Sequence, residues 1–158
     1  MATAGKNLSH YNPEDIPNAE KLRIGIVVSQ WNSEITESLY QGAFETLVSC
    51  GAKTDNILRW EVPGSFELVY GCKKMIQEYS PAAVIAIGSV IRGETSHFDY
   101  ICSATAQGIK DLNVITDTPV IFCVLTDDNW EQAKDRSGGK HGNKGAEAAI
   151  AAIKMAVL

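Results

Sequence analysis

The densest gathering of reactive side chains is Val90-Ile91-Arg92-Gly93-Glu94-Thr95-Ser96-His97-Phe98-Asp99-Tyr100. It combines a cation, a glycine, two aliphatic hydroxyls and an imidazole, the side chain best suited to moving protons near neutral pH. Backbone N–H groups in a glycine-containing loop ahead of a helix favour anions. Two further clusters stand out. Trp31-Asn32 offers an aromatic face to a planar heterocycle. Pro63-Gly64-Ser65-Phe66-Glu67 offers exposed N–H groups and a carboxylate acceptor to a polyhydroxylated ligand. Each has a plainer reading: Trp31 as a hydrophobic plug, Pro63–Ser65 as a turn, His97 as a structural residue, Arg136 and Lys144 as solvated cations. The Lys140–Gly145 run is glycine-rich but lacks the G-x-x-x-x-G-K-[ST] order of a phosphate loop.

The elements that must carry these clusters follow from period and punctuation. Leu22 to Val28 reads as a strand, interrupted by Ser29-Gln30-Trp31-Asn32. From Ser33, the spacing of Ile35, Leu39, Ala43 and Leu47 predicts a helix that Gly51 stops. Asn56 to Val62 is a second strand, and a helix opens at Ser65-Phe66-Glu67 and ends before Pro81. Ala82 to Gly88 is a third strand, followed by the reactive loop and a helix from His97 into the one-hundred-and-tens. Pro119 to Leu125 is a fourth strand carrying Phe122 near its end, and Thr126-Asp127-Asp128 is placed to cap a helix through Arg136. A glycine-rich connection leads to a closing helix, Ala146 to Val157. Alternating strands and helices predict a three-layer α/β fold with a parallel sheet. In such a sheet ligands sit beyond the carboxyl ends of the strands, where each polar cluster is expected.

Residues 21–158 are therefore expected to form one domain, with residues 1–20 a polar arm, disordered in isolation or laid against something else. The net charge of −5 leaves no electrostatic footprint for nucleic acid or an anionic membrane surface. No apolar run is long enough to span a bilayer and no signal peptide is visible. Cys50, Cys72, Cys102 and Cys123 never form C-x-x-C, so buried free thiols in a reducing cytoplasm are expected, and no metal-ligand cluster is visible.

Val62-Pro63-Gly64-Ser65-Phe66-Glu67, Val90 to Tyr100, and Gly142-Asn143-Lys144-Gly145-Ala146-Glu147 together resemble the lumazine synthase family, in its motif order, over about residues 22–158. The resemblance implies a flavodoxin-like sandwich and the condensation of 5-amino-6-(D-ribitylamino)uracil with 3,4-dihydroxy-2-butanone 4-phosphate, without metal or organic cofactor. It gives His97 proton transfer. Trp31 stands where the family usually has a phenylalanine stacked on the heterocycle. Asn32, Gly64, Ser65, Phe66 and Glu67 match positions holding the ribityl chain and ring, and Val90 and Ile91 match the pyrimidine pocket. Phe122 matches a backbone contact and Lys144 a group reaching a pyrimidine carbonyl. Glu94 and Thr95 match the phosphate loop, completed by Arg136 of a neighbouring subunit, and Glu147 matches an orienting acid.

The resemblance also implies a homo-oligomer, a pentamer with sites between subunits, whose N-terminal arm adds a strand to the neighbour's sheet. The short connection from Arg136 to Lys144 resembles that of members forming icosahedral shells. Three rival readings are weaker. A dismutase of two lumazines has no phosphate to bind. A non-catalytic carrier or structural shell predicts a damaged phosphate site, yet Thr95, His97 and Arg136 are present. A flavodoxin-like electron carrier needs a hydroxyl-rich phosphate loop where this chain has Ser29-Gln30-Trp31-Asn32.

Overall fold

Apolar runs rich in β-branched residues form the strands of a central sheet, and helical-period segments cover both of its faces. The computed structural model describes residues 7 and 9–158. The strands are β1 (Ile24–Ser29), β2 (Ile57–Val62), β3 (Ala83–Ile91) and β4 (Val120–Asp127). They pair in parallel in the order β2-β1-β3-β4. The helices are α1 (Ser33–Ser49), α2 (Leu68–Tyr79), α3 (His97–Ile115), α4 (Trp130–Arg136) and α5 (Lys144–Ala156). Between α4 and α5 runs a small antiparallel hairpin, β5 (Ser137–Gly139) and β6 (Gly142–Asn143), in the glycine-rich connection.

Side-chain alternation sorts the core into two layers. Ile24, Ile26, Val28, Ile85, Ile87, Cys123 and Leu125 face α1, α4 and α5. Val27, Val84, Ala86, Val120 and Val124 face α2 and α3. This is a three-layer, flavodoxin-like α/β sandwich. β1 is buried at every position, as expected of an inner parallel strand covered on both sides. Gly51 follows α1 with φ of 96°, a left-handed stop that costs glycine little.

Several boundaries differ from expectation, and strand pairing explains the main ones. β3 runs on to Ile91 because β4 pairs with it that far, Val90 opposite Thr126 and Ile91 opposite Asp127. The reactive loop therefore shrinks to Arg92–Ser96. For the same reason Thr126 and Asp127 belong to β4, and α4 is capped by Asn129, whose side chain accepts the Gln132 N–H at 3.0 Å. Phe122 is the third residue of β4, opposite Ala86, and not near its carboxyl end. Ser65-Phe66-Glu67 form the turn ahead of α2, which begins at Leu68. α5 begins at Lys144, where Asn143 caps it by accepting the Gly145 N–H at 2.8 Å.

Residues 9–20 lie along α1 of their own chain. The Tyr11 hydroxyl meets Ser49 Oγ at 2.6 Å, Ser9 Oγ accepts the Asn143 N–H at 2.9 Å, and Ala19 is fully buried. The expected pairing of the arm with another chain falls partly on residues 1–6 and 8, outside the described residues.

Candidate active site

Three strand-to-helix connections converge on one cavity. It has a volume of about 710 Å³ and is lined by Trp31 and Asn32 after β1, Gly64 to Glu67 after β2, Ser89 to Ile91 at the end of β3, and His97 and Ile101 on α3. The lining is mostly apolar with a few polar groups, the usual make-up of a small-molecule site.

Short-range bonds fix the first two connections against each other. Gln30 N–H donates to the Val62 carbonyl at 2.9 Å and Trp31 N–H to the Pro63 carbonyl at 3.2 Å. The indole is thereby held at the cavity mouth, where it remains 73% exposed with a free face for stacking. Asn32 adopts a left-handed backbone, φ 57° and ψ 46°, a conformation that is strained for most residues but that asparagine tolerates best. Its side-chain amide donates to the Ser89 carbonyl at 3.0 Å, tying the β1 connection to the end of β3. At Gly64 a Cβ would stand 3.0 Å from Glu67 Oε2 and 3.7 Å from Trp31 Cδ1, so the glycine leaves room for both side chains.

The polar groups of the cavity floor have spare capacity. Ser65 and Ser89 are 6% and 3% exposed, and neither hydroxyl has a hydrogen-bond partner among the described residues. Buried hydroxyls in this condition cost free energy until something binds them. Ser89 and Ile101 escaped the motif reading, although both signals were local. Ser89 adjoins Val90, and Ile101 lies four residues after His97, on the same side of α3.

The third connection is braced by Arg92. Its Nε donates to Asp128 Oδ1 at 3.0 Å, Nη2 lies 3.2 Å from Asp99 Oδ1, and the guanidinium carbon sits 4.1 Å from the centre of the Phe98 ring. The Arg92 N–H also donates to the Asp127 carbonyl at 3.0 Å. Two carboxylates thus engage this cation, which makes it a brace for the loop more than an anion receptor. Glu94 and Thr95 are exposed on the loop, beside the cavity lining without being part of it. Thr95 Oγ1 accepts the His97 N–H at 3.4 Å.

The remaining candidates gather around β4, one of the two edge strands of the sheet, and outside the cavity lining. Phe122 is 38% exposed on that strand. Lys144 Nζ donates to Glu147 Oε1 at 2.8 Å, and both groups act on the buried Cys123 thiol of β4. Arg136 ends α4, with Nη1 donating to the Gln132 carbonyl at 3.0 Å. The chain therefore carries two separate groups: a cavity set on β1, β2, β3 and α3, and an edge set of Phe122, Arg136, Lys144 and Glu147. Among the described residues no three His, Cys, Asp or Glu side chains stand close enough to hold a metal ion, and no helix is long and apolar enough to cross a membrane.

Comparison with known proteins bears on this arrangement. The family model for 6,7-dimethyl-8-ribityllumazine synthase matches residues 21–158. A 6,7-dimethyl-8-ribityllumazine synthase of Christiangramia forsetii is 65% identical over 159 aligned positions, covering 100% of this chain and 95% of that protein. One of Flavobacterium johnsoniae is 65% identical, covering 100% of this chain and 83% of the relative. One of Porphyromonas gingivalis is 54% identical over 100% of this chain and 98% of its own length. With the family model spanning the whole α/β domain and these relatives matched over the full chain, the chain belongs to the 6,7-dimethyl-8-ribityllumazine synthase family.

Proposed function

We infer that the chain condenses 5-amino-6-(D-ribitylamino)uracil with 3,4-dihydroxy-2-butanone 4-phosphate, releasing phosphate and 6,7-dimethyl-8-ribityllumazine for riboflavin biosynthesis. The observation that carries this reading is the convergence of Trp31, the Gly64–Glu67 turn, Val90, Ile91 and His97 on one cavity. The indole face takes the heterocycle, Val90 and Ile91 wall the pyrimidine, and Asn32, Ser65, Phe66 and Glu67 hold the ring and ribityl chain. The open hydroxyls of Ser65 and Ser89 suit a ligand rich in hydroxyls.

The chemistry asks for a Schiff base between amine and ketone with loss of water, elimination of phosphate, and ring closure with loss of a second water. Protons move at each step near neutral pH, and His97 at the first residue of α3 is the imidazole within the cavity. The phosphate is received by the exposed loop at Glu94 and Thr95 and by a guanidinium, Arg136, whose planar fork matches a phosphate oxygen pair. Holding two substrates face to face supplies effective molarities of about 10⁵ M or more. General acid–base catalysis supplies about 10²–10⁴-fold, so positioning carries more of the rate than His97 does.

Because Phe122, Arg136, Lys144 and Glu147 are absent from the lining of their own chain's cavity, the complete site is read as composite. A second copy brings its edge set against the cavity set of the first, in a closed ring of five that packs further into an icosahedral shell. The exposed rings of Trp31 and Phe66 at the cavity support such an assembly, since large apolar side chains left in water at a site invite a covering partner. Four free cysteines, three of them buried, suit a reducing cytoplasm.

The test is a mixing assay of both substrates that follows inorganic phosphate and lumazine absorbance together. Equal appearance of the two products, slowed in Arg136→Ala, is the expected result. Binding of the pyrimidine with no rate above the buffer reaction would leave only a carrier or shell.

A further inference from the structure

Asp127 is a buried charge to which the mechanism above gives no task. It ends β4 opposite Ile91 and is 6% exposed. Its Oδ1 lies 3.8 Å from Arg136 Nη1, and its Oδ2 is buried without a hydrogen-bond partner among the described residues. Burial pushes the carboxyl above the ordinary range, Arg136 opposes that rise, and Asp128 adds to it. A buried carboxylate with one open oxygen is expensive, and a neutral side chain of the same size would avoid the cost.

The neighbouring carboxylate shows what the pair does. Asp128 turns to Arg92 and, with Asp99, occupies that guanidinium from two sides. Among the described residues Arg136 meets one carboxylate, Asp127, at a separation beyond a hydrogen bond. Among the described residues, both of its polar contacts, to Asp127 and to the Gln132 carbonyl, run through Nη1. Its Nε and Nη2 donors remain available on the far side of the fork.

We propose that Asp127 is a positioning residue for Arg136, turning the guanidinium so that its free N–H donors face the phosphate group of the substrate while Asp127 itself touches no substrate. The inference rests on the reading of Arg136 as a phosphate ligand. It has a signature that a structural role lacks, because removing the charge should harm phosphate handling without harming the fold.

The test is Asp127→Asn in the assembled enzyme, with KM measured separately for each substrate and stability measured by urea unfolding. The phosphate substrate's KM is expected to rise about tenfold, the scale of one misdirected charge-assisted hydrogen bond. The pyrimidine's KM should stay within about twofold, as the lost contact is specific to the other substrate. The unfolding midpoint should hold or rise, since a buried charge has been removed. In an Arg136→Met background the same change should add nothing further. An unchanged or lower phosphate KM, an equal rise in both KM values, or a fallen midpoint would overturn the assignment. If Arg136→Met alone leaves the phosphate KM unmoved, both readings fall. If it raises that KM and Asp127→Asn does not, only the role of Asp127 is lost.

Discussion

On the α1, α4 and α5 side of the sheet, Ile35, Leu39, Ala43 and Leu47 interlock with Ala148, Ala149, Ala152 and Ile153 over the strands. Large apolar side chains left exposed on those helices are Val48 and the chain end at Met155, Val157 and Leu158. On the α2 and α3 side, α3 buries only Phe98, Thr105, Ile109 and Leu112 of its 19 residues. Tyr70, Tyr100, Val114 and Ile115 there stand 67–74% exposed, and Phe66, in the cavity lining, is 55% exposed. One face is closed by its own chain, where burial of each large aliphatic side chain is worth about 1.5–3 kcal/mol. The other keeps several large apolar side chains in water. The difference separates a face whose large apolar side chains are mostly packed from one that leaves several of them in water.

The sharpest division is expected between His97 and Leu39. His97→Ala should lower kcat by about 10²–10⁴-fold while the urea midpoint stays put, because the side chain is exposed and is the one proposed for proton transfer. A loss far above that range in single-turnover rates would mean that positioning does less, and His97 more, than assigned. Leu39→Ala on the closed face should cost about 2–5 kcal/mol of unfolding free energy with both KM values unchanged. A matching loss of affinity for substrate would erase the contrast between the faces.

Surface changes on the open face should act on assembly. Tyr100→Ser is expected to leave the unfolding free energy of dissociated chains within about 0.5 kcal/mol while shifting sedimentation towards smaller species. Unaltered sedimentation would remove Tyr100 from any interface. The smallest effect is a labelling pattern. Burial pushes the Cys72 and Cys123 thiols up to about 12, one under each face. Both should resist a disulfide reagent at mildly alkaline pH until the chain unfolds. Cys102, partly exposed on α3, should react in dissociated chains and become protected on assembly. Native labelling of Cys72 alone would show that the open face is loose down to its core.

Asp127 adds a pH test to this picture. Its folded-state pKa is raised, so its contribution to stability is greatest below the ordinary carboxylate range and is lost as pH rises through the folded value. Arg136, Asp128 and, through Asp128, Arg92 are the charges around it. Urea midpoints of the native chain should fall relative to those of Asp127→Asn over that interval.

The sequence determined what is local. Helical spacing from Ile35 to Leu47, apolar runs at Ile24–Ser29 and Ala83–Gly88, and stops at Gly51 and Pro81 follow from backbone sterics and side-chain period, which need no distant partner. The clusters at Trp31, Gly64–Glu67 and His97 were legible for the same reason, as each sits where a strand gives way to a helix. Tertiary structure decided what depends on pairing. β4 supplies the hydrogen-bond partners that keep β3 extended to Ile91, which draws Ser89 into the cavity and shortens the loop to Arg92–Ser96. The same register places Phe122 mid-strand, and the packing of α4 and α5 leaves Arg136, Lys144 and Glu147 out of the cavity lining that holds His97. Which residues share a cavity is set by strand order and register, and these are fixed by contacts between segments far apart in the chain.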